Sequence, residues 1–211
     1  YVAEKMQKAN YDLSQEELRP YFGGARVLEG VFSLVERLYG ARVLPMEGIS
    51  LWRPDVKFFA LYDRDGELRG GFYADLYSRD GKNQGAWMDI VLEREDRGDS
   101  VQVPVAYLNC NFTEPKAGED SQLLHGEVET IFHEFGHVLH HIFSRTKNPE
   151  SAMTGVEWDA VECPSQVNEN WAWEKSMLTS LSRHVKTHEQ LPVQLMDKLI
   201  AAKHYLTGIL L

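Results

Sequence analysis

Apolar residues in the first part of the chain recur at three- and four-residue intervals. Val27, Val31, Leu34, Val35 and Leu38 share one helical face and the pattern stops at Gly40, which predicts a helix from Val27 to Tyr39. Residues 1–10 and 15–19 also read as helical. The period then changes. Val56 to Tyr62 and Leu68 to Tyr77 are rich in aromatic and branched residues, and Arg64-Asp65-Gly66-Glu67 between them supplies Asp-Gly turn chemistry, so both are predicted strands. Gly85 to Asp89 and Val101 to Cys110 add two candidate strands, separated by the charged loop Glu93 to Ser100. Helical spacing returns over Gly126 to Ser144, Asp159 to Arg183 and Val193 to the end, with Met177, Leu178 and Leu181 as core positions. The predicted fold is α+β: a region over 1–50 that is helical, a small, mostly antiparallel sheet of three to five strands over 51–112, and a helical region over 120–211 packed on that sheet.

One of these helices carries chemistry. His133-Glu134-Phe135-Gly136-His137 places two imidazoles four residues apart, hence on one face, with Glu134 beside them. The apolar stripe Leu124, Val128, Ile131, Phe132, Phe135, Val138, Leu139 and Ile142 predicts that this helix is half-buried. Two histidines and a carboxylate are a known ligand set for a catalytic zinc ion with an open position for water. Glu162 is the candidate third ligand, a loop and a helix start beyond His137, with Glu157, Asp159 and Glu169 as competing acids nearby. On a continuous helix residues 159, 162, 166 and 169 share a face, so Asp159 and Glu169 are expected to grip the second ring nitrogens of the zinc histidines. Such a zinc ion lowers the pKa of its bound water to ~7, and Glu134 is the candidate catalytic base that takes the proton and later hands it to the leaving amine.

The other histidines carry less. His140 and His141 follow one turn later and are predicted to be structural; His125 is expected to be a cap or loop residue, and His184, His188 and His204 surface residues. Pro164 either kinks the second helix or marks its first turn. Cys110 and Cys163 have no zinc-ribbon or redox spacing.

The run Val161-Glu162-Cys163-Pro164-Ser165-Gln166-Val167-Asn168-Glu169-Asn170-Trp171, together with the His133 motif, resembles the thimet-oligopeptidase family of zinc metallopeptidases. Leu18-Arg19-Pro20-Tyr21-Phe22, Pro54-Asp55-Val56-Lys57-Phe58-Phe59, Gly85-Ala86-Trp87-Met88-Asp89, Pro104 to Phe112 and Leu199 to Lys203 are similar to the same family. The resemblance implies a gluzincin-type zincin core, one zinc ion held by His133, His137 and Glu162, a small buried residue at Cys163, short peptides as substrates, a cytoplasmic location and a monomer when complete. It also points to Gly85, Ala86, Trp87 and Met88 as a strand edge to which an extended peptide adds itself, in place of a plain hairpin strand with a core tryptophan. Members of the family are considerably longer, and a later Gly- and Tyr-rich segment supplies their transition-state donors. Tyr205 lacks that pattern, so the chain is expected to be a catalytic-core fragment with little activity alone. A carboxydipeptidase of the same family, or a metal-retaining peptide-binding module without activity, are the alternatives.

With 211 residues, 43% of them apolar, the chain can bury a core. Its formal net charge of −10 disfavours nucleic acid as a partner, because neutralising phosphates needs basic clusters. With neither an 18-residue apolar run nor a basic-plus-apolar leader, no membrane span or export signal is expected.

Overall fold

The structure, a computed structural model, describes residue 8 and residues 10–147 and 152–203. The predictions for residues 1–7, His204 and Tyr205 lie outside the described residues. The chain divides into two compact units: the described parts of Tyr1–Gly30, Pro115–Val128 and Asn170–Leu211, and those of Val31–Glu114 and Glu129–Glu169. The helices are α1 (Gln15–Leu18), α2 (Gly24–Tyr39), α3 (His125–Phe143), α4 (Cys163–Glu169), α5 (Lys175–Leu181) and α6 (Val193–Ala201). None of the described helices is long and apolar enough to cross a membrane.

In the first unit Leu18, Phe22, Val27, Met177, Leu178, Leu181, Met196 and Leu199 are buried, and among them Val27, Met177, Leu178 and Leu181 are positions that helical spacing marks. Asp120 accepts from the Ala25 backbone N–H through both carboxylate oxygens, 3.2 and 3.3 Å away, and so satisfies a free donor of the first turn of α2. His125 is neither a cap nor a loop residue: it is the first residue of α3, buried, donating through Nε2 to the Ala172 carbonyl at 3.0 Å and packed edge-on against Trp173. Burial pushes its pKa down to about 4, so it is a neutral core imidazole.

The second unit is built on a five-stranded sheet. Strands β1 (Arg42–Pro45), β2 (Lys57–Tyr62), β3 (Leu68–Tyr77), β4 (Trp87–Leu92) and β7 (Val105–Phe112) lie in the order β1-β2-β3-β7-β4, with β5 (Glu95–Asp96) and β6 (Val101–Gln102) forming a separate small ribbon. All pairings are antiparallel except β3 with β7. β1 falls in the stretch expected to be helical. It is a four-residue edge strand with one buried side chain, Val43, and it ends on a proline, which an edge tolerates. One strand of the ribbon, β5, falls in the predicted charged loop Glu93 to Ser100, and Pro104 divides the predicted strand Val101 to Cys110 into β6 and β7.

Alternation places Phe59, Leu61, Phe72, Ala74, Ala106 and Leu108 on one buried face. Phe32 of α2 and Phe135 of α3 pack there on Phe72, with ring centroids 6.3 and 5.4 Å away, and Phe59 stacks on Phe72 at 5.3 Å. At Gly70 a Cβ would lie 2.9 Å from an Ile142 methyl and 2.7 Å from the Pro104 carbonyl, so only glycine lets α3 approach β3 this closely.

On the opposite face Asp75, 1% exposed, is the centre of an ionic cluster. Arg79 donates to it at 2.6 and 2.7 Å, Lys82 at 2.8 Å, the Trp52 indole at 3.2 Å and the Tyr107 hydroxyl at 3.1 Å. Lys82 also donates to the carbonyls of Asp75, Tyr77 and Cys110. These bonds fasten the β3–β4 connection across the end of β7. Burial alone would raise the Asp75 pKa, but Arg79, Lys82 and Trp52 outweigh it and hold the carboxyl well below the usual carboxylate range.

A group whose pKa is lowered by folding contributes stability above its unfolded value of ~3.9 and loses it as pH falls through the folded value. Asp75→Asn leaves the buried Lys82 ammonium without its counter-charge, and is expected to cost ~3–5 kcal/mol at pH 7. Urea unfolding at pH 7 and pH 3 checks both points: the difference between wild type and variant should be large at pH 7 and shrink toward pH 3.

Candidate metal centre

The first turn of α3 is closed by Glu127, whose carboxylate accepts from the Leu124 N–H at 2.7 Å, the backward half of a capping box. From there the helical period carries His133, Glu134 and His137 to one face. α4 supplies the rest. Turns over residues 158–162 precede it, Pro164 sits in its first turn without kinking it, and Gln166 donates to the Glu162 carbonyl at 2.9 Å. The predicted continuous helix from Asp159 to Arg183 is therefore interrupted: α4, a 3-10 turn over Asn170–Trp173, and α5 beginning after Glu174.

Two contacts press α4 onto α3. A Cβ on Gly136 would lie 2.7 Å from Ser165 Cα and 3.0 Å from the Pro164 carbonyl, so the glycine is the gap through which the two backbones approach. Next to it the buried Asn168 amide donates to the Phe132 carbonyl at 2.5 Å. The approach brings Glu162 Oε2 to 3.1 Å from His133 Nε2 and 3.1 Å from His137 Nε2, and the three donor atoms lie within 4.8 Å of one another. Ligands ~2.1 Å from one tetrahedral zinc ion lie ~3.4 Å apart, so this donor set fits such an ion.

The surroundings prepare each ligand. Glu169 Oε1 is 2.5 Å from His133 Nδ1; it accepts the proton there and leaves the Nε2 lone pair directed at the shared point. Ser165 Oγ lies 2.8 Å from Glu162 Oε2 and 2.8 Å from the Glu162 carbonyl. Burial pushes Glu162 upward, but the Ser165 bond and the two histidines prevail and keep it below its ordinary value. Burial, with the neighbouring His133, lowers the His137 pKa and favours the neutral imidazole that a metal requires. His137 Nδ1 is buried without a hydrogen-bond partner among the described residues.

Glu134 is 6% exposed, and burial, reinforced by the Glu162 charge, raises its pKa to about 7 against the opposing pull of His133 and the Met88 backbone N–H. That bond ties the acid to β4, the outermost strand of the sheet. Ala86, Trp87 and Met88 line a cleft of about 350 Å³ with His133, Glu134, His137 and Glu162; Met153, Trp158 and Val161 complete the wall.

Other expectations change. Asp159 stands exposed in the turn and makes no hydrogen bond or ion pair with either histidine among the described residues, because the helix that would have aligned it with Glu162 begins only at Cys163. Gly85 is not a wall of the cleft: with φ +102° it is the turn into β4, its carbonyl accepting from Asn111 Nδ2 at 2.6 Å. Cys163 is exposed, since the second residue pair of α4 turns Ser165, not Cys163, toward α3; Cys110 is buried. His140 has a buried Nδ1 with no hydrogen-bond partner among the described residues, and His141 bonds the Leu92 carbonyl through Nε2 at 3.0 Å; neither belongs to the converging set. His184 accepts from the Lys186 and Thr187 backbone, and His188 is exposed. Sequence reasoning missed Ser165, Asn168 and the wall residues Met153, Trp158 and Val161. A serine three positions after Glu162 was a legible signal for the first; a fold-dependent wall has none.

A two-histidine, one-carboxylate donor set on a mixed α/β scaffold beside a sheet edge is one that could hold a metal ion, and sequence comparison specifies the class of protein further. The model of peptidase family M3 matches residues 1–211, and the chain belongs to that family. It is 47% identical to oligopeptidase A of Escherichia coli (strain K12) over 207 residues, 97% of this chain and 30% of that protein. It is 42% identical to the organellar oligopeptidase A of Arabidopsis thaliana over 217 residues (99% of this chain, 27% of that protein) and 35% identical to the dipeptidyl carboxypeptidase of E. coli K12 over 209 (99% and 30%). The chain thus spans about 30% of the length of the curated relatives it matches.

Gly136→Ala forces the α3 and α4 backbones apart and is expected to cost ~1–3 kcal/mol and weaken metal binding. Gly126→Ala on the same helix, where a Cβ meets nothing within 4 Å, should leave both unchanged or stabilise slightly. Thermal melting and zinc titration of the two variants compare them directly.

Proposed function

We propose that this chain is the metal-bearing core of a zinc-dependent oligopeptidase of the gluzincin type, which hydrolyses internal bonds of short peptides. The observation that carries the reading is the convergence of His133, His137 and Glu162 on one point, with a buried acid, Glu134, raised to about 7 beside them and bonded to a sheet edge. Zinc bound by these three residues would supply a Lewis acid for a water molecule and the scissile carbonyl.

The chain's own residues do the rest. Glu134, poised near neutrality, takes a proton from the attacking water and delivers it to the leaving amine as the C–N bond breaks. Glu169 keeps His133 in the tautomer that presents Nε2. The outer side of the segment Ala86 to Met88, where β4 begins, holds the peptide extended through the main-chain groups that the Met88–Glu134 bond leaves over, which tolerates varied sequences. We read residues 1–211 as one catalytic-core fragment of a longer protein, on the support of its coverage of the relatives, with transition-state donors supplied from outside this chain.

In a protein extended to the length of its relatives, His137→Ala should abolish stoichiometric zinc binding, whereas His140→Ala should retain it; elemental analysis after dialysis decides. Loss in both variants alike would remove the ligand assignment.

Glu134→Gln keeps shape and zinc but cannot accept the proton, so turnover of a quenched fluorescent peptide should fall at least ~10²-fold. Cleavage of peptides with an amidated C-terminus at the rate of free ones separates the endopeptidase from a carboxydipeptidase, which needs the free carboxylate.

A further inference from the structure

The cleft has two chemically different halves. One is ionic, made by the two histidines and two acids of the candidate centre; the other is apolar, made by Trp87 and Met88 of β4 and by Met153, Trp158 and Val161 of the segment leading to Glu162. Trp158 stands out, because 91% of it is exposed. Full burial of a large apolar side chain is worth ~1.5–3 kcal/mol, so folding of the described residues leaves this indole's main contribution unused. Its position is set rather than free: the Ala160 and Val161 N–H groups donate to the Glu157 carbonyl at 2.9 and 3.1 Å, and Cys163 N–H to the Ala160 carbonyl at 3.1 Å, forming the turn that also presents Glu162. Trp158 and the candidate ligand Glu162 are thus mounted on one hydrogen-bonded turn, and both line the same cleft.

We propose that Trp158, with Met153 and Val161, is a specificity-determining wall that covers an aromatic or bulky aliphatic side chain of the substrate close to the scissile bond. This rests on the peptidase reading above. A peptide held along β4 sends alternate side chains to opposite faces of the sheet, so a residue next to the one being cleaved is carried toward the loop opposite. An indole offers a flat apolar surface with only two torsions to fix, and its contact with an incoming ring excludes water from both. The continuity of the apolar half with the candidate centre is what assigns the substrate as occupant, in place of another part of the same protein.

The test uses the full-length protein and short Ala-rich peptides carrying one Phe at successive positions, with the Phe-free peptide as reference. Affinity is read by calorimetry in the Glu134→Gln background, where nothing is cleaved, and zinc content is checked in every variant. At least one Phe peptide should bind about tenfold tighter than the reference. Trp158→Ala should collapse that ratio to within about twofold, and Trp158→Phe should restore most of it; with Glu134 intact, kcat/KM ratios should follow the same order. A Phe preference unchanged by Trp158→Ala, or no preference in the parent, overturns the proposal. So does equal weakening of all peptides with a lower melting temperature, which would mean that Trp158 is packed against another part of the same protein. If the calorimetric ratios behave as expected while the protein with Glu134 intact cleaves no peptide, the subsite stands and the peptidase reading falls.

Discussion

The contact between α3 and α4 at Gly136 is the constraint on which the candidate centre depends. Two histidines on one helix face offer two ligands at most; a third must arrive from elsewhere, and its distance is set by how closely its backbone can come. Gly136 removes the side chain that would stand in the way, and the Asn168 bond to the Phe132 carbonyl fixes the crossing. Glu162 Oε2 then falls 3.1 Å from both imidazoles, and Ser165 Oγ donates to the same oxygen. A helix–helix interface of ordinary side-chain thickness, ~8–10 Å between axes, would leave the carboxylate short of the histidines.

The same closeness sets the electrostatics. Burial lowers the His137 pKa and raises that of Glu134 to about 7, while Glu162, hydrogen-bonded by Ser165 and beside the two histidines, is held below its ordinary value. Two carboxylates lining one cleft are thereby shifted in opposite directions, which suits the division of labour proposed for them, one holding a cation and the other moving a proton. The Met88 amide links that proton-carrying acid to the sheet edge, so the position of β4 and the state of Glu134 are coupled through one hydrogen bond. β4 is held in turn by the Asp75 cluster and by Asn111, which fasten the connection that crosses the end of β7.

Periodicity along the chain determined the nature of most elements, because burial of one face leaves a period of 3.6 or 2 in the sequence whatever the neighbours are. It was enough to place His133, Glu134 and His137 on one face of a half-buried helix, to find the strands of the sheet, and to mark Met177, Leu178 and Leu181 as core. It was not enough where a boundary depends on a single backbone bond. The helix expected from Asp159 starts at Cys163, and four residues of difference remove Asp159 from the site and leave Glu169 alone to hold His133. Cys163 is turned to solvent by the same shift, and β1 escaped notice because four residues with one buried side chain carry no period.

Tertiary structure alone decided which strand lies at the edge, since alternation reports that a strand is half-buried but not which strand pairs with it. The order β1-β2-β3-β7-β4 is produced by the β3–β4 connection passing over β7, held by the buried Asp75, Arg79 and Lys82 charges that no local pattern announced. It also decided that Glu162, rather than Glu157 or Asp159, faces the histidines, because that choice depends on the angle at which α4 crosses α3. The sequence by itself determined the candidate ligand types and their helical spacing, which are local; their convergence on one point is a property of backbone approach, which only the folded chain possesses.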